Sequence, residues 1–137
     1  MPFVVDASVA ASWLMPDEHD PRAVMAYDLL DTDHATAPSL WWFEIRNMFI
    51  VNERRGRIDP EKTERALSLL RDLQIRLDSA ADEPALLALA RRHRLTVYDA
   101  AYLELARRLG VPLATLDGSL ATAARAEGIA LVGGNGN

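Results

Sequence analysis

Apolar positions along this chain come in short runs whose period alternates between that of a strand and that of a helix. "FVV", residues 3–5, is a β-branched-rich run that predicts a strand ending at Asp6. Residues 7–15 (ASVAASWLM) predict a short helix stopped by Pro16 and the acidic turn Asp17-Glu18. A helix over about 21–31 has Pro21 in the favoured first position and Asp20 as its cap. "HATAP", 34–38, predicts a second strand, and Ser39 opens a long helix to about 55, closed by Gly56. The next helix, 59–73, begins Asp-Pro and carries Ala66, Leu69, Leu70 and Leu73 at helical spacing.

"QIRLD", 74–78, alternates like a strand, and 82–94 and 96–110 predict two helices, the second ending at Gly110. "PLATLD", 112–117, predicts a strand, 118–128 a helix and "IALVG", 129–133, a last strand; the Gly/Asn tail, 133–137, is expected to fray. Strands alternating with helices predict a three-layer α/β/α domain around a mostly parallel sheet, residues 1–137 forming one domain. In such folds ligands bind at the carboxyl ends of the strands, the edge where Asp6 sits.

Composition narrows the chemistry. No apolar run approaches the roughly 20 residues a membrane helix needs, and no basic region followed by an apolar stretch marks a secretory signal. Cysteine is absent, which excludes disulfides and thiolate metal sites and accords with a cytoplasmic setting. The net charge of −5 argues against indiscriminate nucleic-acid binding, yet all basic residues except Lys62 are arginines. They cluster at Arg54-Arg55-Gly56-Arg57, Arg91-Arg92-His93-Arg94 and Arg107-Arg108. Arginine suits phosphate as well as carboxylate, and a cation at a helix C-terminus also opposes the helix dipole.

Four acids stand among apolar neighbours: Asp6 and Asp117 at strand ends, Asp99 in "YDAAYLELA" and Glu44 in "LWWFEIRNMF". Asp6 and Asp117 could cap the helices that follow, and Asp99 could belong to a Thr96-x-x-Asp99 capping box. Glu44 lies mid-helix and cannot cap; a buried, unpaired carboxylate costs several kcal/mol or takes up a proton. Arg46 faces elsewhere on that helix, so the fold must bring a cation or a divalent ion to Glu44. Oxygen-only ligands suit Mg²⁺ or Mn²⁺. His19, His34 and His93 show no ligand spacing and are expected in surface or loop positions.

The ordered set Asp6-x-Ser8, "FEIRNMF", "YDAAYLELA" and "ATLDGSLATAARAEGI" resembles the PIN-domain ribonucleases, and among them the VapC-type toxins of toxin–antitoxin pairs, from Phe3 to Val132. The resemblance implies a Mg²⁺-dependent endoribonuclease, with Mn²⁺ able to substitute, whose acidic metal-binding set is Asp6, Glu44, Asp99 and Asp117. It also implies supporting roles for Ser8, Thr115 and Asn47, a homodimer, and a cognate antitoxin. Arg46, Arg54, Arg55 and Arg57 follow Glu44 and are the candidates for binding RNA. Trp13, Trp41 and Trp42 could stack on bases, or fill a core or dimer interface. A receiver domain would need a lysine after a late strand, whereas the only lysine, Lys62, lies in a charged helix start, and a haloacid-dehalogenase-type phosphatase would need Asp-x-Asp where this chain has Asp6-Ala7-Ser8. The remaining alternative is a PIN-like module that binds partners without cleaving.

Overall fold

The computed structural model describes residues 1–15, 17 and 19–134. The expected helix stop at Pro16 and Glu18, and the tail from 135 onward, lie outside the described residues. Four strands, β1 (Phe3–Val5), β2 (Ala35–Pro38), β3 (Arg76–Asp78) and β4 (Leu113–Ala114), form one sheet in the order β3-β2-β1-β4. All pairings are parallel, with Val4 beside both Thr36 and Leu113. β1, β2 and β4 are buried throughout, as a parallel sheet covered on both faces requires, which explains their continuous apolar runs.

Seven helices complete the three-layer α/β/α arrangement: α1 (Ala7–Leu14), α2 (Pro21–Leu29), α3 (Leu40–Arg54), α4 (Pro60–Asp72), α5 (Glu83–His93), α6 (Val97–Leu109) and α7 (Gly118–Ala126). α6 packs across β1, β2 and β4 with α5 and α7 at its sides, and α1 packs on α2 and α3. α6 is buried without a break from Ala100 to Ala106, and its small Ala100, Ala101 and Ala106 let it lie close on the sheet. Chain order reverses direction at β1: β2 lies on one side and β4 on the other. The crevice beyond the carboxyl ends of β1 and β4 is therefore a topological switch point.

Three expectations change. The last strand shrinks to a single bridge, Leu131 beside Leu113, because β4 is two residues long and Gly133 turns the chain away at φ +70°. On α4 the buried stripe is Thr63, Ala66, Leu67 and Leu70, which leaves Leu69 63% exposed at its rim. "QIRLD" pairs only from Arg76, since Gln74 is left-handed at φ 54°, and Leu77 is exposed because β3 is the sheet's edge.

Candidate active site

Asp6 leaves β1 with extended backbone and caps α1: its Oδ1 accepts from the Val9 amide at 3.0 Å and the Ser8 hydroxyl at 2.7 Å. The other oxygen accepts from the Thr115 hydroxyl, just beyond β4. Ser8 Oγ in turn accepts from the Leu116 amide at 2.9 Å, and Thr115 Oγ1 from the Asp117 amide at 3.0 Å. These bonds lace the two strand ends together across the switch point. Asp6 is 5% exposed, and burial pushes its carboxyl up despite three donors, with the Asp117 charge adding to the rise.

The other acids converge on this point from three elements. Glu44, on α3, accepts through Oε1 from the hydroxyl of Tyr102, on α6. Burial, then the charges of Asp99 and Asp6, raises the Glu44 carboxyl, while the Tyr102 bond opposes that rise. Asp99 is raised by burial and by Asp117, which caps α7 by accepting from the Ser119 amide at 3.1 Å. Tyr102 stands one turn after Asp99 and is 2% exposed; burial first, then the Glu44 bond and the neighbouring acids, keeps its phenol protonated as a donor. Among the described residues no Arg, Lys or His forms an ion pair with any of the four acids. Nor do three His, Cys, Asp or Glu side chains there close on one point as tightly as a coordinated ion would draw them. The result is a group of carboxylates of which Asp6, Glu44 and Asp99 have raised affinities for protons, with no ion-paired Arg, Lys or His among the described residues.

The PIN domain family matches residues 3–126. The chain belongs to the PIN-domain family. This PIN domain is 34% identical to "Ribonuclease VapC3" of Pyrobaculum aerophilum over 124 residues, 88% of this chain and 93% of that protein. Its fold is shared with PAE2754 of Pyrobaculum aerophilum at a TM-score of 0.70 and 24% identity, over 90% of this chain and 84% of that one. It is also shared with VapC20 of Mycobacterium tuberculosis, described as a sarcin-ricin loop cleaving toxin, at a TM-score of 0.61 and 19% identity, over 88% and 94% of the two chains.

Around the acids of this PIN domain, the other expected residues scatter. Ser8 and Thr115 touch Asp6 directly. Asn47 is exposed one turn after Glu44. Arg46 lies over the Trp42 ring, 3.8 Å from its centroid, and donates to the Trp42 carbonyl at 3.1 Å, so it does not neutralise Glu44. Arg54, Arg55 and Arg57 are exposed at the far end of α3, Arg54 about 15 Å along the axis from Glu44 at 1.5 Å per residue. Of the later arginines, Arg92 and Arg107 reach Glu127, and Arg108 joins Glu104 to Asp78.

His93, expected in a surface or loop position, instead ends α5 partly buried and bonds Glu127 at 2.6 Å. Trp41 is buried and donates to the Asp6 carbonyl at 3.3 Å, and Trp13 donates to the Ala23 carbonyl at 2.8 Å; only Trp42 of the three is exposed. Asp6 and Asp117 cap α1 and α7, as expected, and a strand-end aspartate that caps the next helix also sits at the crevice. Tyr102 escaped sequence reasoning. Its signal was its place one turn after Asp99 on the same face of that helix.

Proposed function

We propose that this PIN domain is a Mg²⁺-dependent endoribonuclease, with Mn²⁺ able to substitute, that hydrolyses single-stranded or structured RNA as the toxin of a toxin–antitoxin pair. The observation that carries this reading is the set of Asp6, Glu44 and Asp99, each raised first by burial, then Glu44 by Asp99 and Asp6 and both aspartates by Asp117, with no ion-paired arginine among the described residues. An all-oxygen, anionic donor set fits a hard divalent cation. Asp6 and Asp99 would hold the ion, Glu44 would ligate it or orient the attacking water, and Asp117 would bind through water or help hold a second ion. Such an ion lowers the pKa of a bound water and neutralises charge on the phosphoryl group.

The chain's own groups supply the rest. Ser8, Thr115 and the Val9 amide fix both oxygens of Asp6, so little reorganisation is left for the reaction. Tyr102 fixes one oxygen of Glu44 and leaves the other free of side-chain donors among the described residues. With water as the nucleophile, the products carry 5′-phosphate and 3′-hydroxyl ends. RNA as substrate draws support from the relative named a ribonuclease. A cytoplasmic homodimer held in check by an antitoxin belongs to the same reading.

The test is cleavage of single-stranded RNA by the purified protein, freed of any antitoxin. We expect Mg²⁺ or Mn²⁺ to support cleavage, EDTA to stop it, and Asp6→Asn or Asp99→Asn to lower it by at least about a hundredfold, the scale of losing one electrostatic stabiliser. Undiminished cleavage with Asp6, Glu44 and Asp99 all replaced would assign the activity to a contaminant. A folded protein that binds neither ion would make the chain a partner-binding PIN-like module instead.

A further inference from the structure

Beside the acidic crevice, α3, α4 and the exposed edge strand β3 enclose an open pocket of about 330 Å³ with the opposite electrostatic character. Arg46 and Arg71 face it together with Trp41, Trp42 and Leu77, and no carboxylate lines it. Among the described residues neither arginine forms an ion pair. Arg46 is pre-oriented by the Trp42 ring beneath it.

We propose that this pocket is a subsite for single-stranded RNA, in which Arg46 and Arg71 take one backbone phosphate and Trp42 with its apolar surroundings takes the attached base. The inference rests on the ribonuclease reading and extends it to how an acidic protein holds a polyanion. Position argues for RNA rather than an acidic peptide. Trp41 lines the pocket and donates from Nε1 to the backbone carbonyl of Asp6, so one residue borders both the arginine pair and the strand end that carries Asp6. On this reading a strand whose scissile phosphate lies in the crevice leaves it across α3 at this level.

The other clusters are less suited. Arg92, Arg107 and Arg108 already serve carboxylates, and Arg54, Arg55 and Arg57 lie at the remote end of α3. Two arginines on a phosphate also supply the planar, forked donors that a phosphate accepts in pairs. Base stacking on an aromatic side chain tolerates any sequence, so this subsite would contribute affinity and register rather than base identity.

The test measures binding of a fluorescein-labelled single-stranded oligoribonucleotide in EDTA, across a salt series, for the parent, Arg46→Gln, Arg71→Gln, the double variant and Trp42→Ala. Each phosphate neutralised on a single strand contributes about 0.7 to the slope of log affinity against log salt, so the double variant, which gives up the one phosphate the pair holds, should lose about 0.7. Trp42→Ala should weaken binding about tenfold, and Trp42→Phe should restore most of it. Arg71 is exposed and outside the core, so Arg71→Gln tests the pocket without threatening the fold. A parental slope and affinity in the double variant overturn this inference and leave the nuclease reading standing. A parent that binds no RNA at low salt overturns both. Weakened RNA binding that tracks dissociation of a dimer in sedimentation velocity also overturns it, and assigns the pocket to a second copy of the chain.

Discussion

Asp6 resolves an apparent conflict between two roles. Its carboxylate completes a helix cap, yet burial and neighbouring charge leave that carboxylate worse off than it would be in water. Burial and neighbouring acids likewise raise the carboxyls of Asp99 and Glu44, which cap no helix, and this makes them residues whose removal stabilises the metal-free fold. Asp99→Asn and Glu44→Gln should therefore raise the melting temperature in EDTA while abolishing any further rise on adding Mn²⁺, both read by differential scanning fluorimetry. Tyr102→Phe tests the hydroxyl that steadies Glu44: in urea denaturation it should cost about 1–2 kcal/mol, the value of a buried bond to a charged group. In the Glu44→Gln background the cost should shrink toward that of a neutral bond. The strand-end aspartates were legible from sequence because a carboxylate after an apolar run is a local signal. Tyr102 was not legible as a partner of Glu44, since its bond spans 58 residues and no local pattern encodes a contact of that separation.

At the level of elements, the same division between local and distant causes decides what could be read. α2, α4 and α5 each begin at an aspartate cap followed by an early proline, as their sequences announce. The expected last strand dissolves because strand length depends on a partner, and β4 offers only two paired residues. Leu69 shows the limit of helical spacing: positions three and four apart share a face, but the neighbours of α4 cover only the stripe through Ala66, Leu67 and Leu70. α6 is the element under most steric constraint. Ala100, at 0% exposure, lies where the helix meets the sheet, so Ala100→Leu should overpack the layer and cost about 1–3 kcal/mol in urea denaturation. Thr122, exposed on α7, should tolerate the same change at little cost.

Across the whole molecule, charge is sorted rather than mixed. Carboxylates without cations occupy the crevice, whereas Glu127 at the end of α7 gathers His93, Arg92 and Arg107. These two populations bend the pH dependence in opposite senses. Asp6, Glu44 and Asp99 bind protons more readily folded than unfolded, so the metal-free protein gains stability as pH falls from neutrality through their raised values. Glu127 is held low, chiefly by His93 and then Arg92, so its contribution is present above the unfolded value of about 4.3 and is lost as pH falls below it. Calorimetry in EDTA should show maximal stability on the acid side of neutrality, and Glu127→Gln should flatten only the acid limb. The lacing of Asp6 to Thr115 joins positions 109 residues apart. A ribosome has to release the chain beyond Thr115 before that lacing can form, so the crevice stays unassembled while residues 6–115 are being made. Any activity of this site therefore begins only after that whole stretch has emerged.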